Sequence, residues 1–239
     1  MAIQTQSISY EVKGKPYEGV LAWDDALTGP RPGIMVCHAW GGQGDFEVDK
    51  CRMLAELGYV ALAVDVYGQG IRGTTTDENA KLMQPLIDDR AELQTRLQGS
   101  LAALQQDDRV DENNIAAIGF CFGGLCVLDV ARAGTDIAGV VSFHGLLGRP
   151  DDLDAQPIGA KVMILHGWDD PMATPDAVLD VTRELSEAGA DWQLHAYGAT
   201  VHAFTNPVAN DPGMGTVYSA KAEKRSLAAM QSFLEELFG

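Results

Sequence analysis

The chain alternates between short unbroken apolar runs and longer segments in which apolar residues recur every three or four positions. From Gly33 onward the runs are "GIMVCHAWGG", "YVALAVDVYG", "NIAAIGF", "GVVSFHG", "KVMILHG" and "DWQLHAYG". The first is followed by Val48, Cys51, Leu54 and Ala55 at helical spacing, the second by a long segment, Asp77–Gln105, striped by Leu93, Leu97, Leu101 and Leu104. Pro85 is expected to kink or interrupt that segment near its start. Helices are further expected from the third run to Ala133, over Pro175–Ala188, and over Val217–Leu237, where Leu227, Met230, Phe233, Leu234 and Leu237 share one side. Ahead of Gly33, Ser7–Val12 and Gly19–Trp23 read as a hairpin turning at Lys13-Gly14-Lys15-Pro16.

Apolar runs without alternation mark strands buried on both faces. Their regular exchange with helices implies an α/β fold: a mostly parallel central sheet with helices on both faces and an N-terminal antiparallel hairpin. No repeat, low-complexity tract or linker divides the chain, so a single domain over residues 1–239 is expected. Such sheets bind ligands outside the carboxyl ends of their strands. The residues just after each run are therefore where chemistry is sought.

Cys121 follows the third run, in the frame Gly119-Phe120-Cys121-Phe122-Gly123. This G-x-C-x-G has the form of a nucleophile elbow with cysteine in place of serine. A thiol at a helix N-terminus is favoured as the thiolate, which is the nucleophilic form. A core thiol behind a glycine turn fits the same five residues. The fifth run ends in "HGWDDP"; Asp170 has the G-x-x-D spacing from Gly167, with Asp169 as the alternative acid. The sixth is followed by His202 in "YGATVHAFTNP". The order Cys121, Asp170, His202 is nucleophile, acid, base, the chain order of the α/β-hydrolase fold. That order is what separates a nucleophile from a buried thiol. An oxyanion hole needs two backbone N–H donors, expected from Phe122 and from Ala39 in "HAWGG", with Trp40 as Ala39's neighbour. Trp40, Tyr67, Phe122, Trp168 and Phe204 are candidate pocket aromatics, or core packing.

Composition narrows the partners. The net charge of −17 excludes a phosphate-binding surface rich in Lys and Arg, so neither nucleic acid nor an anionic membrane is an expected partner. The N-terminus has no apolar core of signal-peptide length and no run approaches membrane-spanning length, which points to the cytoplasm. Cys37, Cys51, Cys121 and Cys126 form no CxxC, so neither a zinc site nor a disulfide framework is expected.

The stretches "IGFCFGG", "LHGWDDP", "HAFTNP" and "VDVYG" resemble those of dienelactone hydrolases, the carboxymethylenebutenolidase-like enzymes, and the resemblance runs from about residue 7 to the end. It implies an α/β-hydrolase without a large lid, a Cys-Asp-His triad, and cofactor-independent hydrolysis of esters or lactones through a thioester. Two positions depart from the family. Where those enzymes carry a substrate-binding arginine, four residues after the catalytic histidine, this chain has Asn206; where they carry a glutamate after the first core strand, it has His38. Arg72 in "YGQGIRG" is left as a candidate cation. These departures turn the expected substrate towards a neutral ester. Phosphotriesters are a second expected substrate class, since their tetrahedral oxygen meets the same donors. A non-catalytic binding protein on a hydrolase fold is the alternative of another class. A monomer or homodimer fits equally.

Overall fold

The computed structural model describes residues 2–151 and 153–239. Two compact units make up the chain, one ending at Ile118 and the other running from Gly119 to Gly239. The architecture is a mostly parallel sheet with helices and an N-terminal antiparallel hairpin.

The first unit opens with that hairpin, β1 (Ile3–Val12) and β2 (Lys15–Asp24). Val12 pairs with Lys15, so only Lys13 and Gly14 form the loop; the turn is tighter, and the strands longer, than the sequence pattern implies. β3 (Arg31–Cys37), α1 (Asp45–Glu56) and β4 (Val60–Ala63) follow. β4 pairs in parallel with β3 and antiparallel with β2. The segment expected as one long helix is two, α2 (Thr76–Asp88) and α3 (Arg90–Gln105). The break falls at Asp89, not Pro85, which lies inside α2. Asp89 leaves the helical region (φ −127°, ψ 83°) and its carboxylate accepts the Glu92 N–H, capping α3. Leu93, Leu97, Leu101 and Leu104 are buried as one stripe, each contributing about 1.5–3 kcal/mol of apolar burial. β5 (Val110–Phe120) completes a strand order β1-β2-β4-β3-β5.

The second unit takes the last residues of β5 and continues through α4 (Phe122–Arg132), β6 (Gly139–Phe143), β7 (Lys161–Gly167), α5 (Pro175–Glu187), β8 (Trp192–Tyr197), β9 (Asn210–Asp211), β10 (Thr216–Val217) and α6 (Ala220–Phe238). β6, β7 and β8 pair in parallel in that order. β8 is the half-buried outer strand, which explains why its run is the least apolar. Val217 does not open the last helix. It pairs with Asn210 in the small β9/β10 hairpin, and α6 starts after Ser219, whose hydroxyl accepts the Ala222 N–H.

Every residue of α4 is buried, including its last, Arg132. A buried guanidinium needs all its donors engaged. Arg132 meets Glu184 of α5 with two bonds of 2.8 Å, Asp129 at 3.3 Å, and the Leu147 and Gly148 carbonyls at 2.9 and 3.0 Å. The helix that carries Cys121 at its start is thus anchored at its far end. Arg132→Met would take the guanidinium from Asp129, which is fully buried, and we expect a loss of about 3–5 kcal/mol. Urea unfolding checks this: the midpoint should fall with little change in slope.

Candidate active site

β5 runs into α4 through a turn that leaves no space for side chains on its inner side. Cys121, the N-cap of α4, has φ 57° and ψ −115°, a region that costs a non-glycine residue about 1–3 kcal/mol and is kept only where surroundings enforce it. Here its N–H donates to the Phe143 carbonyl (3.1 Å), and its own carbonyl accepts from Gly124 (2.9 Å) and Leu146 (3.3 Å). A Cβ at Gly119 would overlap the Gly123 carbonyl oxygen. One at Gly124 would lie 2.5 Å from Gly145 Cα and 2.6 Å from Ser142 Oγ. Gly119 and Gly124 are therefore demanded by contact. The thiol itself is only partly buried, whereas Cys37, Cys51 and Cys126 are fully so.

The turn after β7 is pinned by three backbone bonds: Trp168 N–H to Tyr197 O (2.9 Å), Asp169 N–H to Thr200 O (2.9 Å) and Asp170 N–H to Gly167 O (3.1 Å). It buries Asp170 and leaves Asp169 exposed. Asp170 Oδ2 accepts from His202 Nδ1 at 2.7 Å, and Oδ1 from the Met172 N–H at 2.8 Å. His202 Nε2 is also buried, and the group it faces is Cys121, whose sulfur acts on the ring by charge and hydrogen bonding, although the contact falls short of a well-oriented hydrogen bond among the described residues. Burial alone would drive the proton off His202. Electrostatic interaction with the Cys121 sulfur, then the Asp170 hydrogen bond and charge, outweigh it and hold the imidazole pKa up at about 10.

Two further buried histidines stand near this pair. The His144 ring packs edge-on to His202 at 5.2 Å and is fixed through Nε2 by Thr205 Oγ1 at 2.8 Å. His166, at the end of β7, has neither ring nitrogen hydrogen-bonded among the described residues, and burial pushes its pKa down. Phe204 is fully buried between His144 and Tyr197, so it is packing and not a pocket wall. Asn206 closes a local turn: its side-chain oxygen accepts the Val208 N–H and its backbone N–H donates to Ala203 O. Trp168, 43% exposed, remains open to a ligand.

The first unit holds His38, Ala39, Trp40, Tyr67 and Arg72. His38 is fully buried and offers no nitrogen to a substrate. Its Nε2 accepts the Val66 N–H (3.2 Å), so Nδ1 carries the proton and donates to Ala39 O (2.6 Å); burial pushes its pKa down to about 4. Tyr67 packs its ring on His38 and donates its hydroxyl to Trp40 O (2.9 Å). Arg72 is not a free cation. Its guanidinium binds Gln43, the Ile71 carbonyl and buried Asp65. Ala39 also departs from expectation, because its N–H is donated to Glu47 Oε1 at 3.2 Å. The Trp40 N–H has no such bond among the described residues and is the donor this loop leaves open. Glu47 was the residue missed. Its signal is the G-x-x-E spacing of Gly44 and Glu47 at the start of α1, half of a capping box, with Gly44 N–H to Glu47 Oε2 at 3.0 Å.

Among the described residues no group of three or more His, Cys, Asp or Glu side chains is placed to hold a metal ion, and no helix is long and apolar enough to cross a membrane. Parallel strands exchanged with helices, a strained turn presenting a cysteine, and a buried acid–histidine pair at later strand ends define an α/β-hydrolase. The chain belongs to the dienelactone hydrolase family, whose sequence profile matches residues 18–238, and it is an ester or lactone hydrolase. It is similar over its full length to P91, a dienelactone hydrolase-like promiscuous phosphotriesterase from metagenomic libraries, with 36% identity, 100% of both chains covered and a TM-score of 0.95. A second solved structure, m3DLH, is 34% identical over 100% of both chains, with a TM-score of 0.96. An uncharacterized Caenorhabditis elegans protein, K02A2.1, is 35% identical over 154 residues, 63% of this chain and 98% of that one.

Glu47 gives a pH test of the His38–Glu47 loop. Burial raises its carboxyl from 4.5 to about 7, against the backbone bonds that lower it. The folded chain then binds this proton more tightly than the unfolded one. The Glu47 contribution to stability should be fully present below about 4.5 and be lost as pH rises towards about 7, by as much as about 3 kcal/mol at 1.36 kcal/mol per pKa unit. Urea midpoints of wild type and Glu47→Gln compared from pH 4.5 to 8 should diverge by that amount, the variant lacking this part of the fall.

Proposed function

We propose that the protein hydrolyses carboxylic esters or lactones through Cys121, Asp170 and His202, acting as one catalytic domain over residues 1–239. The observation that carries this reading is the buried His202 ring, bonded through Nδ1 to Asp170 at 2.7 Å and facing the Cys121 sulfur. Such a ring is half of a thiolate–imidazolium pair. The Cys121 thiolate attacks the carbonyl carbon, and the oxyanion forms at the N-terminus of α4, where the Phe122 N–H supplies a donor. The leaving alkoxide or enolate takes the Nε2 proton of His202.

Acylation then changes the charge balance. The sulfur becomes a neutral thioester and no longer raises the His202 pKa. Burial, the largest single influence on that ring, is opposed only by Asp170. His202 is left as a neutral base, able to take a proton from the water that cleaves the thioester and to restore the pair. One side chain thus serves as acid and then as base, switched by the charge on sulfur. The free imidazolium is needed for the first step, so kcat/KM should hold up to about pH 10 and fall above it as His202 loses its proton. A pH–rate profile on an activated ester, with protein stability checked across the same range, measures this.

Neutral substrates fit the surroundings best, because Arg72 is committed to Asp65 and Gln43 and Asn206 stands at the family's arginine position. A second reading is phosphotriester hydrolysis, favoured by full-length similarity to P91. The thiolate attacks phosphorus, the alkoxide or aryloxide leaves with the His202 proton, and water hydrolyses the S-phosphoryl cysteine. A panel of nitrophenyl esters, lactones and phosphotriesters tests both readings. Cys121→Ala should lower ester turnover about a thousandfold or more; equal rates would remove Cys121 from the mechanism. With phosphotriesters, release of many equivalents per site means catalysis, and a single equivalent means inactivation.

A further inference from the structure

The β9/β10 hairpin is exposed over Asn210–Gly213, half-buried at Met214, Thr216 and Val217 and buried at Gly215, and it contributes no side chain to the triad. Its backbone, however, meets His202 and the turn that carries Asp170. The His202 N–H donates to Gly215 O at 2.9 Å, and the His202 carbonyl accepts the Val217 N–H at 3.1 Å. His202 is thereby bridged to Thr216, as an extra strand position beside β10. A further tie, Ser219 N–H to Phe204 O at 3.0 Å, fixes the residues just beyond. On its other side Gly215 lies against Pro171, the residue next to Asp170. A Cβ on Gly215 would overlap Pro171 Cγ and come 2.7 Å from Pro171 Cδ. Gly215 has φ +70°, the left-handed region in which glycine is unstrained.

We propose that this hairpin is a clamp that sets the Asp170–His202 hydrogen bond, and that Gly215 is its positioning residue. One peptide unit touches the histidine through its carbonyl and the acid-bearing turn through its bare Cα. The distance between the two is therefore fixed by a single residue with no room to grow. Met172 N–H to Asp170 Oδ1 at 2.8 Å holds the carboxylate from the same turn, so pressure on Pro171 is transmitted to Asp170. The loop around His202 needs such support, because Ala199 (φ 53°) and Ala203 (φ 58°) flank it in strained conformations that hydrogen bonding must maintain.

The consequence for catalysis rests on reading Asp170 and His202 as the acid–base pair, and the test separates the two claims. Three readouts are taken: kcat and KM on an activated ester, the pH profile of kcat/KM, and the downfield NMR resonance of the His202 Nδ1–H shared with Asp170. Gly215→Ala should lower kcat about tenfold to a hundredfold with KM little changed, as displacements of this size do at reacting groups. The alkaline limb should move to lower pH, because a weaker Asp170 bond holds the His202 proton less tightly. The Nδ1–H resonance should shift or broaden. Adding Pro171→Ala removes the overlapping Cγ and Cδ, leaving Cβ at 3.7 Å, and should restore a large part of all three. The left-handed strain of alanine is the same in both variants and drops out of that comparison. Should Gly215→Ala fail to fold, Val217→Pro removes the donor to His202 O and should change the readouts in the same direction.

Wild-type kcat and an unmoved resonance in Gly215→Ala would overturn the clamp. So would a loss of activity that leaves the resonance and pH profile unchanged, or one that Pro171→Ala does not relieve. A resonance that moves and is rescued, in a protein whose Cys121→Ala form hydrolyses the ester as fast as wild type, supports the clamp and overturns the catalytic reading instead.

Discussion

Cys121 adopts a backbone conformation that an L-residue holds only under external constraint, and the constraint is contact at the start of α4. Gly119 lies on the Gly123 carbonyl, and Gly124 lies against Gly145 and Ser142. With no Cβ between them, the helix comes close enough for the Cys121 N–H and carbonyl to be tied to Phe143, Gly124 and Leu146. The strain is thus offset locally by three hydrogen bonds and by close packing. At the other end of the same helix, Arg132 joins α4 to α5 and to the Leu147–Gly148 carbonyls. The cysteine sits at the start of an element fixed at both ends, which suits the nucleophilic role proposed for it, since attack geometry must be preorganised.

Electrostatics decide what that position can do. His38 and His202 are both buried histidines, and their pKa values lie at about 4 and about 10. Burial opposes the charged form in both. His38 is surrounded by backbone groups, with a donor at Nε2 that excludes a second proton, so burial prevails. His202 has a carboxylate on one nitrogen and the Cys121 sulfur facing the other, so it does not. The neighbouring His144 and His166 add bulk around His202. His166, with its pKa pushed down, adds no competing positive charge.

The parts of this architecture that were legible in the sequence are those in which a residue's identity follows from its own environment. Unbroken apolar runs marked the parallel strands, since burial on both faces leaves no polar position. The G-x-C-x-G frame marked the strained turn, where a Cβ at Gly119 would overlap the Gly123 carbonyl. Asp170 and His202 were legible from order and spacing. Less legible were positions whose partners lie far along the chain. Nothing in "HAWGG" tells that Ala39 N–H is taken by Glu47, or that His38 is held by Val66. Arg72 looked like a free cation because Asp65 and Gln43 come to it only through folding. Pro85 drew attention as a breaker, while the actual break at Asp89 came from a short carboxylate capping the next helix.

The β9/β10 hairpin shows the same point from another side. Its ties to His202 run through peptide N–H and carbonyl groups, which almost any amino acid supplies. Substitution along Asn210–Val217 can therefore proceed with little effect on where the histidine stands, provided Gly215 is kept and proline does not replace Val217. Relatives that share this device will diverge freely in that stretch, and side-chain comparison would score it as an unremarkable loop. Its one legible trace is the absence of a side chain at Gly215. In this fold a segment can be indispensable in shape while being nearly silent in composition.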